Sequence, residues 1–326
     1  MKKKLLIFGS IVLVVVALSV GAYFGFLAGR GHHNDLTGFA QYYPYVENRE
    51  IVPMQMNANG EFVVLQFTDT HLVNTRNREP DVRTLEMIEY WTARVNPDFV
   101  VITGDMLEGR AAQTHRYVDR HAALHGIAGI FEQLAQPWTF TPGNNDHEFM
   151  GSAQDVTAFL AYHYNYFLAA SPAYLPGAVN FTLPILNEDN ELAHKLIFID
   201  SLGRHEIMQP EQAQWLSEQL LVLSDEAPQA QASIFFHYNT PMFYEAGYRF
   251  RGREGDTAID EAILAADNVG LVSIGHTHPP ENWLTNIDNM YLKVVRASGY
   301  RRGDEFPGAA VITIGSESYT FEEIVF

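Results

Sequence analysis

Short apolar runs, each stopped by a polar cluster, recur along this chain. Phe62-Val63-Val64-Leu65-Gln66-Phe67 runs into Thr68-Asp69-Thr70-His71, and Phe99-Val100-Val101-Ile102-Thr103 stops at Gly104-Asp105. Trp138-Thr139-Phe140-Thr141 ends in Pro142-Gly143-Asn144-Asn145-Asp146-His147-Glu148. Ser233-Ile234-Phe235-Phe236 stops at His237, and Gly270 to Ile274 leads into Gly275-His276-Thr277-His278. Runs this short and continuous predict strands buried on both faces, as in parallel sheets. Between them, Val82, Leu85, Ile88, Trp91 and Val95 recur at helical spacing and predict a helix over 82–95. Further helices are predicted over 111–134, 209–223 and 258–266. The order strand, turn, helix, strand over 62–103 is one βαβ unit, which places Asp69 and Asp105 on the same sheet edge. Residues 179–185 and 195–199 predict strands of a second sheet, with a turn near Asn187 to Asn190. Residues 291–297, 309–314 and 319–325 are strand-like. No internal repeat, low-complexity run or second domain boundary interrupts residues 61–326, which read as one domain.

The beginning of the chain has a different pattern. Met1-Lys2-Lys3-Lys4 precedes Leu5 to Gly29, which carries no charge. At ~1.5 Å per residue this stretch can cross a ~30 Å hydrocarbon core with some tilt. It is longer than the ~7–15-residue apolar region of a cleaved signal peptide. Three lysines before it, against Arg30 just after, predict a cytoplasmic amino terminus and an extracytoplasmic remainder. Residues 1–30 are thus expected to be a single-pass membrane anchor, with the bilayer as partner through residues 5–29. The alternative is a secreted chain after signal cleavage. Residues 31–60 are polar and aromatic with little periodicity, and read as a tether and lead-in.

Charge then narrows the partners. The net charge is −18, and beyond the anchor 18 basic residues face 39 acidic ones. Such an acidic portion argues against nucleic acid as a general partner. An anionic substrate must be attracted by local cations instead. The chain has no cysteine, which excludes disulfides and thiolate metal sites.

Five strand ends therefore carry the candidate chemistry: Asp69 with His71, Asp105, Asn144, His237, and His276 with His278. Carboxyl ends of strands are where open α/β folds bind ligands. Buried Asp and His are costly there unless paired or metal-bound. Imidazole, carboxylate and amide donors suit two divalent cations of the manganese, iron or zinc kind. His115, His121 and His125 have no partner motif and read as a solvated or packed helix face. Arg76 and Arg78 read as a solvated loop, and the aromatic stretch 162–167 as packing.

The ordered blocks Asp-x-His, Gly-Asp, Gly-Asn-x-Asp, a lone His after an apolar strand, and Gly-His-x-His resemble the calcineurin-like metallophosphoesterase superfamily over residues 60–326. Thr68-Asp69-Thr70-His71-Leu72 with Pro97 to Asp105 is similar to its purple-acid-phosphatase-related branch. The resemblance implies an α/β fold, a four-layer α/β/β/α sandwich of two mixed sheets. It implies that Asp69, His71 and His278 hold one metal and that Asn144, His237 and His276 hold the other, with Asp105 bridging. The implied activity is hydrolysis of a phosphate mono- or diester by a metal-bridging hydroxide. The alternative is a non-catalytic surface module that keeps the metals for ligand binding.

Two departures from the family pattern matter. Where members carry a His after the Asn, to assist the leaving group, this chain has Asn145, followed by Asp146 and then His147. Either Asn145 binds a phosphate oxygen, or His147 or another His supplies the proton, or the leaving group needs little help. Loss of a proton donor is worth ~10²–10⁴-fold. The Tyr ligand of purple acid phosphatases is also missing, since Met106 and Leu107 follow Asp105. A mixed-valent purple iron site is not expected.

Overall fold

The apolar runs form strands of two sheets rather than sharing one. A computed structural model describes residues 36, 38–42, 50–73, 78–109, 120–148, 152–204, 206–249, 257–315 and 318–326. The apolar segment 5–29, Arg76, His115 and the start of the helix expected from residue 111 lie outside them. Among the described residues no helix is long and apolar enough to cross a membrane.

The first βαβ unit forms as expected. Strand β2 (Phe62–Phe67) pairs in parallel with β3 (Phe99–Ile102), and β3 with β4 (Trp138–Phe140). Helix α2 (Glu79–Val95) crosses between β2 and β3. Pro80 sits in its first turn, where no backbone donor is needed, with Glu79 and Asp81 against the positive helix end. Asn96, left-handed at φ 49°, stops it. Helix α3 (Arg120–Gln133) precedes β4 and α4 (Ala153–His163) follows it; the latter opens on a capping box between Ser152 and Asp155. The sheet is completed by β11 (Gly308–Ile314), antiparallel to β2, and β12 (Tyr319–Val325), giving the order β12-β11-β2-β3-β4.

The other sheet has seven strands in the order β1-β5-β6-β7-β8-β10-β9. They are β1 (Met54–Gln55), β5 (Asn180–Leu186), β6 (Leu192–Ile199), β7 (Gln231–Phe235), β8 (Val269–Ile274), β9 (Trp283–Ile287) and β10 (Met290–Val294). Parallel pairs join β6 to β7, β7 to β8 and β8 to β10, so β7 and β8 end on one edge. Part of the lead-in segment joins the fold. Strand β1 pairs with β5, short α1 (Phe39–Tyr42) sets Phe39 edge-on to Phe159, and Leu36 is buried.

Side chains of the seven-stranded sheet alternate between two cores. Leu196, Phe198, Phe235 and Leu271 face the core shared with the five-stranded sheet, α2 and α3. Ile197, Ile199, Ile234, Val272 and Ile274 pack instead with α5 (Pro210–Glu226) and α7 (Thr257–Leu264). Short α6 (Pro241–Glu245) adds Met242 and Phe243 to this second core. Phe198 stacks between Phe181 and Phe235 of its own sheet, at 4.8 and 5.5 Å between ring centroids, and meets Phe99 of β3 at 5.7 Å, which ties the two sheets together. His121 and His125, read as a solvated or packed helix face, both contact Phe159 through their rings, and His125 also meets the Tyr164 hydroxyl.

Candidate metal centre

Two triads of metal-competent side chains meet where the two sheets end. Asp69, His71 and His278 form one, and Asp105, His237 and His276 the other, with donor atoms in each within 4.8 Å of one another. Each draws carboxylate from the five-stranded sheet and imidazole from the seven-stranded one. His278 Nε2 lies 3.2 Å from both Asp69 Oδ1 and His71 Nε2. His276 Nδ1 lies 3.2 Å from His237 Nε2. Asp105 spans the two groups: Oδ1 is 3.4 Å from His237 Nε2, and Oδ2 is 3.9 Å from His71 Nε2.

Backbone geometry aims these groups at a common point. Asp69, His71, Asp105, His276 and His278 are left-handed, with φ between 47° and 74°. That region is uncommon for non-glycine residues and costs of order 1–3 kcal/mol each. Strain at five ligand positions marks a site whose surroundings hold it. Thr68 Oγ1 and the His276 N–H both donate to Asp69 Oδ2, at 2.7 and 2.8 Å, which leaves Oδ1 for the His71–His278 side. Gly143 lies so close to Asp105 and His237 that a Cβ there would sit 2.6 Å from the Asp105 nitrogen and 2.7 Å from His237 Cδ2. Only glycine permits that approach. The next residue, Asn144, is buried and its Oδ1 has no hydrogen-bond partner.

The groups behind the ligands fix their tautomers. His237 Nδ1–H donates to the Thr103 carbonyl at 2.8 Å, so Nε2 is the nitrogen turned toward Asp105 and available to a cation that displaces its proton. His278 Nδ1 does the same to Asp304, at 3.0 and 3.2 Å. His71 Nδ1 faces Glu108 Oε2 at 3.7 Å, and Arg302 clamps that carboxylate through Nε at 2.9 Å and Nη2 at 2.5 Å.

Electrostatics agree with a cation site. Burial pushes the Asp69 and Asp105 carboxyls up, but neighbouring imidazoles, His278 and His237 first, overcome it and hold both below the usual carboxylate range. Burial lowers His237 and His278 too, but Asp105 and Asp69 raise them to about 9 and about 10. Burial and the His237 charge lower His276 to about 4. Carboxylates and imidazoles here hold protons between them, and a divalent cation satisfies the same donors. Together with the unpartnered Asn144 Oδ1, the donor set fits two metal ions.

The residues after Asn144 play other parts. Asn145 donates its backbone N–H to Asp105 Oδ1 at 2.8 Å and its amide to Oδ2, while its own oxygen accepts from Gly109 N and from Arg302 at 3.2 Å. Asp146 is fully buried and accepts from Leu107 N at 3.0 Å and Gly143 N at 2.9 Å, tying the β3 and β4 loops together. Burial, then the Asp105 charge, raise its carboxyl to about 6. His147 turns to Asp200, with Nε2 2.8 Å from Oδ1. Sequence reasoning passed over Asp200, Asp304, Glu108 and Arg302. Asp200 had a signal, since it directly follows the apolar end of β6 as Asp69 follows β2 by one residue.

The calcineurin-like phosphoesterase family model matches residues 62–280, and the chain belongs to that family. A probable inactive purple acid phosphatase 29 from Arabidopsis thaliana is 24% identical, with 69% of each chain covered. The fold is similar to a dimetal phosphatase from Danio rerio, with a TM-score of 0.53, 11% identity, 81% of this chain and 96% of that one. It is equally similar to GAP50, an anchor in the inner membrane complex of Plasmodium, at TM-score 0.53, 13% identity and 81% and 84% coverage.

Proposed function

We propose that this chain is a binuclear-metal phosphohydrolase that cleaves a phosphate mono- or diester. The observation that carries the reading is the Asp105 carboxylate, which reaches both triads at once. Asp69, His71 and His278 would hold one divalent ion, and Asn144, His237 and His276 the other, with Asp105 between them. Manganese, iron or zinc suits these oxygen and nitrogen donors. Such a pair supplies Lewis-acid activation of water and takes up charge on the phosphoryl oxygens. The chain's own residues do the rest. Asp69 and Asp105 neutralise the cations, Asn145 holds Asp105 in its bridging orientation, and Asp146 holds the loop that presents Asn144. Arg302, ion-paired to Glu108, buttresses Asn145 by donating to its amide oxygen.

The anchor completes the reading. Leu5 to Gly29 would hold the enzyme in the membrane, with the catalytic domain on the extracytoplasmic side; secretion after cleavage is the alternative. The family membership and the metal geometry support hydrolysis. A second reading, a non-catalytic module, draws on Asn145 and on the "probable inactive" name of the Arabidopsis relative. The complete set of ligand positions weighs against it.

The test is hydrolysis of p-nitrophenyl phosphate and bis-p-nitrophenyl phosphate by the full chain in detergent, stripped of metal and then given Mn²⁺. Turnover that metal restores is expected, and the ratio of the two substrates separates monoesterase from diesterase. Bound metal without turnover of either ester would favour the module.

A further inference from the structure

The folded domain begins close behind the apolar segment. Leu36 is buried in the core that the two sheets share, and only the six residues Arg30 to Asp35 separate it from Gly29. Six residues, fully extended, reach ~20–22 Å. A domain of this length is ~50 Å across. The surface around Leu36 and α1 is therefore held within half a domain's breadth of the end of the apolar segment.

That surface is one edge of the sandwich. Helix α1 lies on α4: Phe39 meets Phe159, Tyr162 and His163 at 5.6, 6.2 and 6.3 Å between ring centroids, and Ala40 N donates to Asp155 Oδ1 at 2.9 Å. The chain after α4 then closes the gap between the sheets. Leu168 N donates to Trp138 O of β4 at 2.8 Å, and Asn180 N, at the start of β5, donates to Ala170 O at 2.9 Å. Strand β4 ends the five-stranded sheet, and β5 is next to last in the other.

The chemistry of this edge differs from that of the acidic chain around it. Val156 to Asn187 carries no Asp, Glu, Lys or Arg, the longest such stretch in the chain. Gln41 and His163 are exposed on it, and Tyr162 and Tyr174 are 53% and 65% exposed although each is a large aromatic. Tyrosine, apolar in its ring and polar at its tip, suits a headgroup layer. The acids that touch the edge are engaged there. Asp155 is buried under α1, and Glu132 accepts from Asn165 N at 3.0 Å and from its amide nitrogen at 2.6 Å. Acidic residues elsewhere are screened beyond ~8–10 Å at physiological salt, so they do not keep this edge from a lipid surface. By contrast, exposed Leu221 and Val222 on α5 are flanked by Glu218, Asp225 and Glu226, and α5 packs on the second core.

We propose that the edge formed by α1, α4 and the segment from Tyr164 to Ala178 is the surface on which the domain lies against the bilayer, with lipid headgroups as its partner. This rests on the reading of residues 5–29 as a membrane anchor. The short link from Gly29 to Leu36 limits how far the domain can stand off, and the uncharged, tyrosine-bearing edge is where that link arrives. The opposite edge, at β9, faces away from the membrane.

The experiment uses the absence of cysteine from the chain. Single-cysteine variants of the full chain, Tyr162→Cys, Tyr174→Cys, Gln41→Cys and Leu284→Cys, are labelled with a fluorophore. Each is placed in phosphatidylcholine vesicles that carry a nitroxide on the lipid headgroup. Leu284, 40% exposed on β9, is the control, since β9 lies five strand positions from β5, ~24 Å at ~4.8 Å per strand. Labels at Tyr162, Tyr174 and Gln41 should lose most of their emission, and the label at Leu284 should keep its own. Three positions keep the test valid where one variant fails to fold. Vesicle flotation separates the two readings. A chain that floats with the vesicles but shows equal quenching at every position, or none on the α1–α4 edge, would overturn the docking surface and leave the anchor standing. Emission lost to a second labelled copy rather than to the lipid would assign the edge to self-association and overturn it as well. A chain that does not float would overturn both.

Discussion

His194 gives the fold a pH dependence that can be worked out in advance. It lies on β6, fully buried, with Nε2 2.9 Å from Ser233 Oγ and the Tyr319 hydroxyl 3.4 Å away. No carboxylate compensates it, and burial alone lowers its pKa to about 3 from the ordinary 6.5. The unfolded chain takes up a proton near 6.5, while the folded chain refuses it down to about 3. Stability is therefore full above 6.5 and is lost as the pH falls through that window. At pH 5, about 1.5 pH below the unfolded value, the loss is ~2 kcal/mol at ~1.4 kcal/mol per tenfold. His194→Gln keeps a donor for Ser233 without a titrating proton. Urea unfolding of both proteins, metal-free at pH 7.5 and pH 5, isolates this contribution, because the metal-site titrations cancel in the difference. With m near ~3 kcal/mol/M, the wild-type midpoint should drop ~0.5–1 M further than that of the variant. Parallel curves would refute the reasoning, since they would mean that His194 is solvated or paired in the folded state.

Three further outcomes follow from the geometry. Asp304→Ala removes the acceptor behind His278 and should weaken metal binding at the Asp69–His71–His278 triad by ~10–100-fold. Metal titration should show the Asp105–His237–His276 triad unchanged, and equal weakening of both would contradict the assignment. Phe198→Ala opens a cavity against Phe99 of the facing sheet and should cost ~3–5 kcal/mol by chemical denaturation. Below ~2 kcal/mol, the Phe198–Phe99 contact would not be the tie described above. Chelation should lower the melting temperature as well as abolish hydrolysis, because each triad joins the two sheets; an unchanged melting temperature would separate metal binding from the clamping of the fold.

The strand ends were legible for a physical reason. A strand buried on both faces has no solvent-facing positions, so its apolar run is continuous, and the first polar residue marks where it leaves the sheet. Asp69, Asp105, Asn144, His237 and His276 all announce themselves in that way. Which sheet each strand joins was not legible, because Val64 and Ile234 look alike until their hydrogen-bond partners are known. The five ends divide between the sheets, with β2, β3 and β4 in one and β7 and β8 in the other. Short β1 and the exposed, alternating β9 carry too little apolar signal to stand out. Asp304, Glu108 and Arg302 were invisible for another reason. They act through a ligand contributed by a distant part of the chain, and no spacing rule links them to it.

The place of β11 has a consequence for how the protein is made. It is the strand that seals β2, and Ser298 just before it straps the end of β2 by accepting from Thr68 N at 3.1 Å and donating its backbone N–H to Thr68 O at 2.8 Å. Nothing earlier in the described chain occupies that flank. At ~5–20 residues per second, the apolar side of β2 waits ~10–50 s for its neighbour to be synthesised. The nascent chain thus carries an open strand edge through most of its synthesis, and Asp69, though held by Thr68 and Gly104, lacks the His276 N–H until late. Both triads are complete only once His276 and His278 have been made.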